Sequence, residues 1–218
     1  MNKRVLIVGD SCTLPRKEVY FDNLYPSLLK NELIDFDFVV SAKYKATVKD
    51  IKELTIPYIE YGYKPNIVIL QYGIVDAFPR PYPRYIEKYD IVRRLLKKLN
   101  LFYKFSDLFD IHYTSLFEFS FISESIIKLI LDNEGGNTLI IFVNIPLPKR
   151  ILLKSKKALE NICAYNKVFK TLKENYDNIS IIDIFQWTDE YFIYDGYHLN
   201  KDGHKKLADE IKRIIANE

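Results

Sequence analysis

Glycine is scarce in this chain, with 7 among 218 residues. No glycine-rich loop follows any apolar run, which argues against a nucleotide-binding phosphate cradle. Cysteine is scarcer still. Cys12 and Cys163 cannot build a disulfide framework and suit a reducing compartment, so a cytoplasmic location is expected. The three histidines, His112, His198 and His204, lack metal-ligand spacing, and the cysteines add none. No metal and no other cofactor is expected. Charge of one sign is also lacking: 32 basic and 29 acidic side chains leave a formal net charge of +3. That gives no electrostatic case for a nucleic-acid partner. No apolar run approaches the length of a membrane span. The run after Lys3 and Arg4 is cut by Gly9, Asp10 and Ser11 before a leader's apolar region could form, so no secretory signal is expected. Repeats, linkers and low-complexity tracts are absent from the sequence.

What is present is apolar. Hydrophobic residues make up 48% of the chain, enough for one domain, 1–218, with a sizeable core. Short runs rich in Val, Ile and Leu at Arg4 to Val8, Asp35 to Val40, Asn66 to Gln71, Thr138 to Val143 and Ile179 to Ile184 read as strands. Between them, helical spacing predicts helices over Val19 to Lys30, Val48 to Tyr61, Leu116 to Asp132, Lys154 to Tyr176 and Lys201 to Ala216. Asn133 to Asn137 reads as a turn. Strands alternating with helices predict a five-stranded parallel sheet in an α/β class, three-layer α/β/α sandwich, with order 2-1-3-4-5. Residues 77–114 break the pattern. Pro79, Pro81 and Pro83 interrupt regular structure. A basic helix over Ile86 to Leu99 follows, then an aromatic segment with Phe102, Tyr103, Phe105 and Phe109. This reads as an insertion over the carboxyl edge of the sheet, a lid or substrate loop, or equally as a peripheral helical hairpin.

In such a sheet, ligands bind beyond the carboxyl ends of the strands. That places Ser11, the loop around Lys45 to Thr47, Gly73 to Asp76, Asn144 and Asp195 to His198 along one rim. Taken alone, Gly9-Asp10-Ser11 is an ordinary polar turn, and His198 is a capping histidine at a helix start. Together they say more. A serine hydroxyl needs a base to act as a nucleophile, and the base needs an orienter. Ser11, His198 and Asp195 supply the three roles, with Asp195 and His198 three apart on a tight turn at Gly196. His204 reads as structural, and His112 has no obvious acid partner. Cys12 reads as a small buried residue with its side chain turned from that of Ser11.

These blocks resemble those of the SGNH, or GDSL-type, hydrolases: Gly9-Asp10-Ser11 after the first strand, Gly73-Ile74-Val75-Asp76 after the third, and Asp195-Gly196-Tyr197-His198 before the last helix. The order matches along nearly the whole chain. The resemblance implies a flavodoxin-like fold and ester hydrolysis or acyl transfer. It implies Ser11 as nucleophile, His198 as base, Asp195 as its partner and the Ser11 N–H as one oxyanion donor. Two departures stand out. The family's second block usually offers a glycine N–H, but residues 31–61 hold no glycine. An N–H near Lys45 or Ala46 takes its place as the candidate, with Gly73 as a further one. The third block usually carries an Asn whose side chain donates; Val75 stands there and cannot. Losing one such donor costs ~100- to 1000-fold in rate. Arg80 could reach back to replace it. A subgroup of bacterial SGNH proteins of sugar and polysaccharide pathways is similar at Gly-Ile-Val-Asp followed by Pro-Arg. Arg16, Asp76 and Arg80 are the expected substrate-binding residues, because guanidinium groups bind carboxylate or phosphate in bidentate fashion. The alternative is that each arginine pairs with a nearby acid, such as Asp76 or Glu18. The expected activity is a serine esterase or O-acyl transferase on a small-molecule or glycan acyl ester, sugar- or polysaccharide-linked and anionic. The alternative is a non-hydrolytic binding protein on the same scaffold.

Overall fold

The runs of branched apolar residues form the strands of one sheet. A computed structural model describes residues 3–86, 90–99, 101–133, 137–147 and 155–217. Strands β1 (Lys3–Gly9), β2 (Phe36–Ala42), β3 (Ile67–Gln71), β4 (Leu139–Val143) and β5 (Ile179–Ile182) lie in the order β2-β1-β3-β4-β5. Every neighbouring pair is parallel, as the alternating pattern predicts. The central strands β3 and β4 are buried along their whole length, and the edge strands β2 and β5 are only partly so. A strand covered on both faces reads as a continuous apolar run, which is why these segments are legible.

The helices, in chain order, are α1 (Tyr25–Glu32), α2 (Val48–Glu60), α3 (Ile74–Ala77), α4 (Asp90–Lys98), α5 (Phe102–Phe109), α6 (Leu116–Asn133), α7 (Lys156–Asn175) and α8 (Lys201–Ala216). Alternate strand residues feed two cores. Leu6, Val8, Val68, Leu70, Ile140 and Phe142 pack under α2, α6 and α7. Val5, Ile7, Ile69, Ile141 and Val143 pack against α1 and α8 on the opposite face. The result is the three-layer α/β/α sandwich. Among the described residues, no helix is long and apolar enough to cross a membrane.

Some element bounds differ from the sequence pattern for local reasons. The first helix begins at Tyr25 rather than Val19. Leu24 is extended, and Pro26 sits in the first turn, where its missing N–H costs nothing. A short 3-10 turn, Phe21–Asn23, precedes it. β5 stops at Ile182 because Asp183 caps a 3-10 turn, accepting from the Phe185 N–H at 3.2 Å. The expected helix start at Lys154, much of the turn after Asn133 and part of the basic helix after Ile86 lie outside the described residues.

The insertion is closed at its base by an antiparallel bridge between Arg80 and Ile111. Above the bridge, Phe78, Tyr82 and Phe102 form a third apolar cluster with Ala158 of α7, and Tyr197 packs against it. The insertion therefore touches the neighbour of His198.

Candidate active site

Strand β1 delivers Ser11 through a turn that tolerates only glycine at its start. A Cβ on Gly9 would lie 2.0 Å from Thr13 Oγ1 and 3.3 Å from the Gln71 carbonyl oxygen. Thr13 folds back over the strand end and donates to Gln71 Oε1 at 3.0 Å. Asp10 is buried beneath, with its carboxylate accepting the Cys12 N–H at 2.8 Å. Burial pushes the Asp10 carboxyl up. This ties the turn to β3 and leaves Ser11 at the sheet's edge, 8% exposed.

The other half of the site comes from the far end of the chain. Asp195 Oδ1 accepts the N–H groups of Tyr197 and His198 at 3.2 and 3.1 Å. Its Oδ2 lies 2.7 Å from His198 Nδ1. His198 Nε2 lies 3.0 Å from Ser11 Oγ. Burial pushes the Asp195 carboxyl up, but the hydrogen bonds and the field of His198 outweigh it and hold the group below its ordinary value. An ionised Asp195 accepting the Nδ1 proton leaves the Nε2 lone pair facing the serine hydroxyl. The three residues are thus lined up to take a proton from Ser11 Oγ.

Arg16 reaches the same place, its Nη2 against His198 Nε2. Arg80 stays further back, its guanidinium 5.4 Å from the Phe78 ring centroid and 5.1 Å from that of Tyr113. Tyr197 links the two. Its ring packs on His198 at a centroid distance of 4.3 Å; burial pushes its hydroxyl up, against the charges of both guanidiniums. The sequence singles out Arg16 and Arg80 but assigns Tyr197 no role; lying between Asp195 and His198 is the one signal it offers.

Solved structures share this architecture. A lipase/acylhydrolase from Enterococcus faecalis matches at a TM-score of 0.66 and 17% identity, covering 98% of this chain and 95% of that one. A psychrotrophic esterase from Pseudoalteromonas sp., in a structure inhibited by monoethylphosphonate, matches at 0.65 and 13%, covering 99% and 98%. A member of the lipolytic protein G-D-S-L family from Veillonella parvula matches at 0.64 and 11%, covering 99% and 100%. The chain shares the fold of these structures. No family model matches its sequence, and neither does any curated protein.

Within this fold, two neighbouring strand ends present N–H groups to the site. Gly9 pairs with Gln71 in the sheet, so Ser11 and Gly73 each lie two residues beyond paired positions. Neither Ser11 N–H nor Gly73 N–H makes a backbone hydrogen bond among the described residues. Gly73 has φ +112, and a Cβ there would meet Ile145 Cδ1 at 2.8 Å. Val75 is buried and its side chain donates nothing.

Three expectations are corrected. Ala46 is no oxyanion donor: it is fully buried and its N–H already donates to the Lys43 carbonyl at 3.3 Å. Asp76 is no substrate residue. It is 0% exposed, and its carboxylate accepts the Val48 N–H at 3.1 Å, at the start of α2. Burial pushes its carboxyl up to about 7. His112 does have an acid partner, Asp110, whose Oδ1 lies 3.1 Å from Nε2; its Nδ1 faces the Asp76 carbonyl and its ring stacks on Tyr165. Neither arginine pairs with Asp76 or Glu18 among the described residues. It is Arg84 that binds a carboxylate, Asp50 at 3.1 Å, which with Thr47 caps α2.

Cys12 is buried, with Sγ 3.9 Å from the Tyr197 carbonyl oxygen. Burial pushes its thiol well above the ordinary range, the opposite of what a nucleophile needs. Among the described residues, no three His, Cys, Asp or Glu side chains gather as a metal site requires.

Proposed function

We propose that this chain is a serine-dependent carboxylic ester hydrolase or O-acyl transferase, acting on a sugar- or polysaccharide-linked acyl ester. The observation that carries the reading is the unbroken path Ser11 Oγ, His198 Nε2, His198 Nδ1, Asp195 Oδ2, with separations of 3.0 and 2.7 Å. The esterase and lipase names of fold-sharing structures support it.

In this reading Ser11 Oγ attacks the acyl carbon while its proton passes to His198 Nε2. The N–H groups of Ser11 and Gly73 receive the oxyanion. The alcohol then leaves with the proton from Nε2, and the acyl group stays on Ser11. Water, or a second sugar hydroxyl, gives its proton to the same nitrogen and takes the acyl group. Arg16 and Arg80 bind the substrate, and the insertion at 77–114 walls the site through Tyr197. The two cysteines, unpaired among the described residues, fit a cytoplasmic location.

A second reading has one observation in its favour. With Val75 in the third block, the position that usually carries a donating Asn side chain offers none, and a binding protein on this scaffold needs none. Hydrolysis of p-nitrophenyl acetate and of acetylated sugars separates the two. The enzyme reading expects turnover that Ser11→Ala abolishes. Saturable sugar binding with no turnover would favour the binding protein.

A further inference from the structure

The acid–base nitrogen of the site has two suitors. Arg16 Nη2 and Ser11 Oγ both contact His198 Nε2. A neutral imidazole offers one lone pair there, and a guanidinium, always protonated, only donates. While Arg16 holds that lone pair, the serine proton has nowhere to go. His198 is 3% exposed, with Arg16 one of the side chains against it.

Arg16 is, in addition, short of partners. Its Nε is buried with no hydrogen-bond partner among the described residues, and the same is true of Arg80 Nε. Neither guanidinium makes an ion pair with a carboxylate among the described residues. Asp10 has a field that reaches Arg16, but its carboxylate is turned to the Cys12 N–H. A half-buried cation without an anion is costly, and an incoming oxyanion relieves that cost with charge-assisted hydrogen bonds.

The position says which part of a substrate carries the anion. His198 Nε2 returns its proton to the leaving oxygen, so the space beside it holds the alcohol half of the ester. We propose that Arg16 recognises an oxyanion, carboxylate or phosphate, carried on the alcohol half, and that taking it draws the guanidinium off His198 Nε2 and frees that atom for Ser11. Arg80, whose guanidinium lies over the Phe78 and Tyr113 rings, extends the same cationic wall. Selectivity and activation are then one event: an ester lacking the anion meets an occupied base. This rests on the serine ester reading and gives the substrate a charge and a side.

Four acyl esters test it against wild type, Arg16→Ala and Arg16→Lys: p-nitrophenyl acetate, p-nitrophenyl hemisuccinate with its anion on the acyl half, O-acetylated glucuronate, and an O-acetylated hexose phosphate. The last two carry carboxylate and phosphate on the alcohol half and show which is preferred. Arg16→Ala is expected to lower kcat/KM on the preferred one ~10- to 100-fold, the worth of a charged hydrogen bond. It is expected to raise the rate on p-nitrophenyl acetate, because Nε2 is freed. Arg16→Lys should recover part of the loss. A fall of equal size on all four esters, or a larger fall on the hemisuccinate, would overturn the proposal while leaving the serine mechanism standing. A wild-type enzyme that no serine-directed phosphonate modifies would overturn the serine mechanism and this proposal with it.

Discussion

At Asp195 two backbone N–H groups and one imidazole N–H converge on a single carboxylate. The backbone bonds hold the oxygens still, and the imidazole bond chooses the tautomer of His198. Asp195→Asn keeps the shape of the side chain but offers no ionised partner to Nδ1, so the lone pair at Nε2 is no longer assured. We expect kcat to fall ~1000- to 10,000-fold, on the scale known for triad carboxamides, with KM little changed; steady-state kinetics on the preferred anionic acetyl sugar checks this. Gly73 is demanding in another way. At φ +112 a side chain is strained, and its Cβ would press on Ile145. Gly73→Ala should destabilise the fold by ~1–2 kcal/mol, read by urea unfolding. It should also slow the proposed reaction, in which the Gly73 N–H receives the oxyanion, because that N–H moves with the backbone.

Helix α6 roofs the first core through Phe119, which is fully buried and packs on Tyr72, Tyr165 and Phe169 at ring distances of 5.6, 4.8 and 5.7 Å. Phe119→Ala should cost ~3–5 kcal/mol of stability, again by urea unfolding. On the other face, α8 docks on α1 through His204, whose Nδ1 accepts the Tyr25 N–H at 3.3 Å. Burial, helped by the nearby His198, depresses His204 from 6.5 to about 3. A base depressed on folding is protonated first in the unfolded chain. Its contribution is complete above the unfolded value and is lost as pH falls from about 6.5 toward 3. The stability gap between wild type and His204→Gln should therefore narrow between neutral pH and pH ~4.5. The comparison cancels Asp76, whose raised value acts with the opposite sign. Such elements differ in how far the sequence reveals them. α8 is legible because Asn200 caps it and its apolar stripe is regular. α1 is less so, since Phe21 and Leu24 continue the helical spacing while Pro26 sets the true start. Ala46 fails as a donor because a loop hydrogen bond to Lys43 consumes its N–H, and no spacing rule reports that.

Ser11 and His198 are 187 residues apart in the chain, and the sheet order brings them together. β1 lies inside the sheet, next to β3, and every strand runs the same way, so all carboxyl ends open on one side. The sequence reveals that Ser11, His198 and Asp195 come together because each sits in a short block close to a glycine at a strand or helix end. It hides the contact of Arg16 with His198 and the burial of Asp76, which depend on how loops from different strands settle against each other. The whole arrangement is most directly tested by treating the folded protein with an alkyl fluorophosphonate and mapping the modified peptide by mass spectrometry. Modification of the wild type at Ser11, and none in Ser11→Ala, is expected. A folded wild type left unmodified at Ser11, or equal modification of the variant, would contradict the serine–histidine–aspartate mechanism.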